Sequence, residues 1–373
     1  MTSDSRTVND EARRLLSAAV RDPAAVTGFS TAELDLVLRL ARRVRLLGRI
    51  GHALEAKGLL DELPVAAADQ LIGAVRMAEA RERLARWELD RIAWALHGES
   101  AMPLVTMKGC TYLLLDLPNV RGRIFADVDL MTEEGELERL EVLLNGRGWR
   151  TMKLSAYDQN YYRRWTHELP PLVHEEREVE IDLHHNVLPR TARLKPDSGK
   201  LMEASRPVPG SRYRVLADED IVLHAMVHLM FDSDLGDKLR DLVDIADLLR
   251  HFTARDTAFP RKLVDRAAEL DLSRPTYYSL RYATRLLDLE LPGLSPDLLA
   301  RGAPSGPVVW LMDRFVPRAL FPEHPDRPRR ATALARLLLY MRSHWIRMPP
   351  WLLAYHLGYK FLVTRLRYDA PGR

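Results

Sequence analysis

Apolar residues in the first hundred positions recur every three or four places. In ELDLVLRLARRVRLLGRIGHALEAKGLL (33–60), Val37, Leu40, Val44 and Leu47 fall on one helical face, with arginines between them. The segment from Val65 to Ser100 continues in Ala, Arg and Glu, without proline and with only Gly73 as an internal breaker before Gly98, and it predicts one long helix. The period shortens at Met102. MPLVTM predicts a short strand, TYLLLDL a helix stopped at Pro118, IFADVDLM a second strand, EEGELERLEVLLNG a helix ending at Gly146, and WRTMKLS a third strand. REVEIDLHH alternates cleanly, with Val179, Ile181 and Leu183 on one face and Glu180, Asp182 and His184 on the other. From Asp218 the helical period returns in EDIVLHAMVHLMF and DKLRDLVDIADLLRHF, followed by helices broken at Pro260, Pro275 and Pro292. The Pro/Arg-rich segment 317–330 predicts an exposed loop. The expected organisation is an α+β fold: an N-terminal helical region (1–100), a small mixed-sheet core (101–190) and a C-terminal helical region (191–373).

Composition changes this picture little. A net charge of +3 over 373 residues does not make a long nucleic acid the expected partner. A single cysteine excludes an internal disulfide framework. The opening MTSDSRTVNDEARR lacks the apolar segment of a signal peptide, and the apolar run from Met348 to Tyr359 is shorter than the roughly 20 residues that span a bilayer. A cytoplasmic protein without a transmembrane segment is the expectation.

The chemistry concentrates in the alternating strands. Asp127 and Asp129 share a strand face, a repulsive arrangement that calls for something positive between them. Asp182 holds a similar place on the later strand. If the two strands are neighbours, three carboxylates converge, and hard oxygen ligands of this kind suit Mg²⁺ or Mn²⁺. Lys108-Gly109-Cys110-Thr111 lies where a strand turns into a helix, so its backbone N–H groups could cradle a phosphate. Arg123, four residues before Asp127, offers a planar fork matched to phosphate oxygens. An edge strand with aspartates on its solvent face is the plain alternative.

MKGCTYLLLD, RGRIFADVDLM, LLNGRGWR and VEIDLHHNVL, in this order and spacing, resemble the uncharacterised nucleotidyltransferase family within the DNA polymerase beta-like superfamily. The likeness runs from about residue 75 to 250, since VLHAMVHLM and KLRDLVDIADLL also look like its helical region. It implies a nucleotidyltransferase core in which Asp127 and Asp129 are the first two metal carboxylates and Asp182 the third. Gly109 becomes the phosphate-turn glycine, with Lys108 and Arg123 beside it. The superfamily prefers Gly-Ser or Gly-Gly at that turn; here Cys110 follows the glycine, and Thr111 is the hydroxyl that could replace the serine. The gap from Gly109 to Asp127 is also longer than in minimal members. The implied reaction moves a nucleoside monophosphate from an NTP, with ATP as first candidate, to a hydroxyl on a small molecule, peptide or protein, releasing pyrophosphate.

Other patterns compete with this one. A catalytically silent scaffold of the same fold, binding a nucleotide or a partner, is the alternative of another class. Cys110 with His167, His174 or His184 as base is a permissive pattern for a thiol enzyme. His224 and His228 have the i, i+4 spacing of zinc ligands, but Ala225 stands where H-E-x-x-H needs glutamate. His184 shares the face of Asp182 and could orient the carboxylates. Lys238, Arg240 and Asp244 could touch base, sugar or acceptor, or form a solvated helix face. Tyr157, Tyr161, Tyr162 and Trp165 could stack on a base or tuck into a surface segment. The aromatic, basic C-terminal segment fits a membrane surface, a partner or ordinary packing.

Overall fold

A computed structural model describes residues 2–99, 101–152, 155–177, 179–355 and 358–359. Four helices open the chain: α1 (Thr2–Arg21), α2 (Thr31–Arg43), α3 (Leu47–Ala56) and α4 (Val65–Ala95). Ser30 and Glu33 form a reciprocal capping box that starts α2. Arg45 takes a left-handed turn (φ 58°) that separates α2 from α3, so the single periodic stretch becomes two helices.

The central segment carries β1 (Val105–Thr106), α5 (Lys108–Leu114), β2 (Asp127–Met131), α6 (Leu137–Asn145), β3 (Trp149–Thr151), α7 (Ala156–Trp165), β4 (Leu172–His174) and β5 (Glu180–His184). After α8 (Ser198–Ala204) come β6 (Arg206–Pro207) and β7 (Arg214–Val215). Among the described residues these strands form one mixed sheet in the order β3-β4-β5-β2-β1-β7-β6. The fold is α+β, as expected. The sheet reaches beyond residue 190, because β6 and β7 lie in the stretch read as helical; two-residue strands leave no alternation to read. The third expected strand is short, and its Lys153 and Leu154 lie outside the described residues.

The chain closes with α9 (Asp218–Phe231), α10 (Leu239–Arg255), α11 (Phe259–Glu269), α12 (Ser273–Leu287), α13 (Pro296–Ala300), α14 (Gly306–Leu320) and α15 (Arg330–Arg347). Pro260 and Pro275 fall in the first turns of α11 and α12, where a missing N–H costs nothing, so they begin helices. The Pro/Arg-rich segment is only partly a loop, since α14 runs through Pro317 to Leu320. No helix among the described residues is long and apolar enough to cross a membrane.

The helical regions are tied to the sheet and to one another at a few points. Glu88 on α4, fully buried, accepts from Trp149 Nε1 at 3.0 Å and from Arg177 Nε at 2.7 Å. Arg49 on α3 pairs with Asp247 on α10. Between them, Gly48 meets Gly122 backbone to backbone: a Cβ on Gly122, whose φ is 71°, would lie 2.3 Å from the Gly48 carbonyl. Only glycine fits that contact.

Candidate active site

The site is built on β2 and β5. They run parallel with Asp127 opposite Glu180, Asp129 opposite Asp182 and Met131 opposite His184. Alternation sends Val128, Leu130, Ile181 and Leu183 into the core. The two strands are neighbours, so their polar face carries the carboxylates together, which meets the condition set by the sequence pattern.

The N–H of Met107 donates to Asp129 O at 3.0 Å, docking the start of α5 on β2. Lys108 then adopts φ 45°, a left-handed conformation unusual for a side-chain-bearing residue. Its ammonium lies 2.5 Å from Asp129 Oδ1. This is the positive charge that the aspartate pair demanded. His184 Nε2 lies 3.1 Å from the same oxygen. His184 Nδ1 lies 3.3 Å from Glu168 Oε2, but out of line for a hydrogen bond.

The carboxylates are driven apart in acidity. Burial opposes the charged form of Asp129, but Lys108 and the hydrogen bond from His184 outweigh it and hold this carboxyl well below its ordinary range. Asp182 has no such partner. Burial and then repulsion from Asp129 push it up to about 7. Asp127, the exposed member, is raised chiefly by Asp129. One carboxylate oxygen each from Asp129 and Asp182 and one ring nitrogen of His184 lie within 4.8 Å of one another, close enough to hold a metal ion. Asp127 flanks this group.

Two clefts meet at Lys108 and Asp127. The smaller chamber, about 90 Å³, is lined by Arg45, Lys108, Gly109, Arg123 and Arg240, with Tyr112 and Phe125 among its walls. The second, about 340 Å³, opens over Asp182, His184, His167 and Glu168. In the chamber Arg123 pairs with Asp244, and both side chains are nearly buried, 12% and 10% exposed. Burial disfavours the Arg123 charge, yet Asp244 more than compensates and keeps the guanidinium charged. Arg123 also lies over the Tyr112 ring, 5.3 Å from its centre. Arg240 pairs with its neighbour Asp241.

Gly109 lines the chamber, and a Cβ there would press on the Phe125 ring at 3.1 Å. Its lack of a side chain thus serves the Phe125 contact directly. Thr111 is turned the other way: its buried hydroxyl donates to Thr106 O at 2.5 Å, and it lines neither cleft. Lys238 pairs with Asp232 and borders a neighbouring groove with Arg43 and Arg45. Asp244 orients Arg123.

Burial pushes the Cys110 thiol up strongly, which leaves little thiolate for nucleophilic chemistry. His224 and His228 are held well toward the neutral form by burial, His228 down to about 4. Tyr157 stacks on Tyr359 with ring centres 3.8 Å apart, and Trp165 meets Trp351 edge-on, so the α7 aromatics pack on the C-terminal segment. Residues 356–357 and 360–373 of that segment lie outside the described residues.

Glu168 escaped the sequence reading. It follows His167 in a stretch without alternation, and an isolated bridge from Glu168 to His184 brings it to the site. Arg45 and Tyr112 also escaped, since nothing local ties a left-handed turn after α2, or a core-like tyrosine, to a distant strand. Neither the curated proteins nor the solved structures yield a match. Residues 30–288, which carry both acidic strands and the helix bearing Asp244, match the family described as uncharacterised nucleotidyltransferase, and the chain belongs to that family.

Proposed function

We propose that the protein transfers a nucleoside monophosphate from an NTP, ATP first among them, to an acceptor hydroxyl on a small molecule, peptide or protein, with pyrophosphate leaving. The observation that carries this is the parallel pairing that sets Asp129 opposite Asp182, next to the Lys108 and Asp127 that both clefts share. Asp127, Asp129 and Asp182 are hard oxygen donors of the kind Mg²⁺ or Mn²⁺ takes, and the strong splitting of their acidities is what a cation between them would relieve. When bound, the ion would neutralise phosphate charge and lower the cost of pyrophosphate departure.

The chain's own residues divide the remaining work. Arg123, held by Asp244 through one of its donors, keeps others for phosphate oxygens in the basic chamber. Lys108 serves both sides: it neutralises Asp129 at rest and can turn toward a phosphate when the carboxylate finds another cation. Tyr112 and Phe125 close the chamber wall. On the other side, Asp182 faces the wider cleft, where a carboxylate can accept a hydroxyl proton.

Incubation with each α-labelled NTP, Mg²⁺ or Mn²⁺ and a cell extract tests the proposal. One nucleotide is expected to label an acceptor with release of pyrophosphate, and Asp127→Ala to abolish it. Absence of both labelling and NTP binding would refute the proposal; nucleotide binding without turnover would leave the silent scaffold standing.

A further inference from the structure

We infer that His167, Glu168 and His184 form a second site, for a transition metal of the zinc class, which adjoins the carboxylates and shares His184 with their group. One ring nitrogen from each histidine and one oxygen of Glu168 lie within 4.8 Å of one another. Two imidazoles and one carboxylate suit zinc-class ions, whereas Mg²⁺ prefers oxygen throughout. A three-residue set of this kind also leaves a coordination position open.

The second observation is the state of the histidines. His184 is nearly buried, 3% exposed, and its Nδ1 has no hydrogen-bond partner among the described residues. Buried ring nitrogens are ordinarily satisfied, so an orphan of this kind needs a reason. The opposite nitrogen supplies one. Nε2 faces Asp129 Oδ1 at 3.1 Å, and Nδ1 on the opposite side of the ring is turned toward Glu168. A carboxylate behind one imidazole nitrogen, with the other turned to an ion, is how metal-ligating histidines are commonly oriented.

Backbone bonds hold the three residues in place. Leu169 N–H donates to Leu183 O and His185 N–H to His167 O, both at 2.9 Å, and Glu168 bridges to His184 between them. The Thr166 hydroxyl donates to Glu168 O at 2.7 Å and fixes the turn. All three residues line the wider cleft. If the nucleotidyl-transfer proposal holds, the open position faces the arriving acceptor. The metal site stands without that proposal.

Co²⁺ is the probe, because its visible ligand-field bands report imidazole coordination directly. The full-length protein is titrated with Co²⁺ under saturating Mg²⁺, and bound metal is counted by mass spectrometry. One Co²⁺ with ligand-field absorption is expected, and Glu168→Gln and His167→Ala should each weaken it at least about tenfold. Asp127→Ala should leave Co²⁺ affinity unchanged even where it abolishes nucleotide transfer, which separates this site from the carboxylate centre. Near-UV circular dichroism checks folding, and His167→Asn replaces His167→Ala if the latter does not fold. No Co²⁺ binding, or binding untouched by either substitution in a folded variant, overturns the inference. So does equal loss in Asp127→Ala.

Discussion

Lys108→Met asks what the ammonium on Asp129 does. Methionine keeps the stem and the backbone demand at φ 45°, so the substitution removes little besides charge. Asp129 is 2% exposed and Lys108 20%. Removing one partner of a buried pair costs about 3–5 kcal/mol, and the partly open lysine places this case near about 3 kcal/mol. His184 remains as a donor to Asp129, which also favours the lower figure. The same arrangement predicts a gain. The ammonium competes for the carboxylate oxygen that a divalent cation would take, so the variant should be stabilised by Mg²⁺ more than the parent is. Urea unfolding of parent, Lys108→Met, Asp129→Asn and the double variant, first in chelator and then in millimolar Mg²⁺, measures both effects. A coupling of at least about 2 kcal/mol in chelator is expected, together with extra Mg²⁺ stabilisation of Lys108→Met of about 1 kcal/mol or more. Coupling near zero, or identical Mg²⁺ responses, would refute the view that Lys108 and the metal share one oxygen.

Asp127→Ala should abolish transfer while stability holds or rises slightly, since the aspartate is repelled by Asp129; Asp129→Ala should abolish transfer and cost about 3 kcal/mol, because Lys108 and His184 lose their partner, and thermal melts separate the two. Gly109→Val should displace the Phe125 ring and weaken NTP binding by about tenfold or more, read by nucleotide titration, with near-UV dichroism reporting the ring. Cys110→Ser should retain turnover, and the parent thiol should resist alkylation, because burial keeps it protonated. Half-buried His228 has its pKa lowered from 6.5 to about 4, so protonation favours the unfolded chain: its stabilising contribution is complete above 6.5 and is lost as pH falls toward 4. Between about pH 7 and pH 5 that loss is about 2 kcal/mol, and His228→Asn should flatten the urea-derived profile over the interval.

What the chain disclosed in advance follows from how local each signal is. Val128, Leu130, Ile181 and Leu183 alternate with the aspartates, and a period of two is readable wherever one face of a strand is buried. That marked β2 and β5 as strands, but their adjacency, which sets Asp182 beside Asp129 across about fifty residues, stood only as a condition until the fold supplied it. The demand for a positive charge was legible from like-charge repulsion, but its owner was not: Lys108 reaches Asp129 only through a left-handed turn that no pattern announces. Thr111 looked like a phosphate hydroxyl because sequence proximity to Gly109 says nothing of the helical face it takes, and in the fold Thr106 claims it. Glu168 was silent because a bridge between irregular segments positions it.

The touching backbones of Gly48 and Gly122 bear on how the basic chamber can move. Gly122 immediately precedes Arg123, and Gly48 immediately precedes Arg49, which grips Asp247 one helical turn from Asp244 on α10. The wall that carries Arg123 therefore has no slack of its own. It is clamped from behind by α3 and from the side by α10, and a loop so held cannot swing as an isolated flap. Any movement of the chamber wall must carry α3 with it at the glycine contact, so the helical N-terminal region and the chamber open or close together.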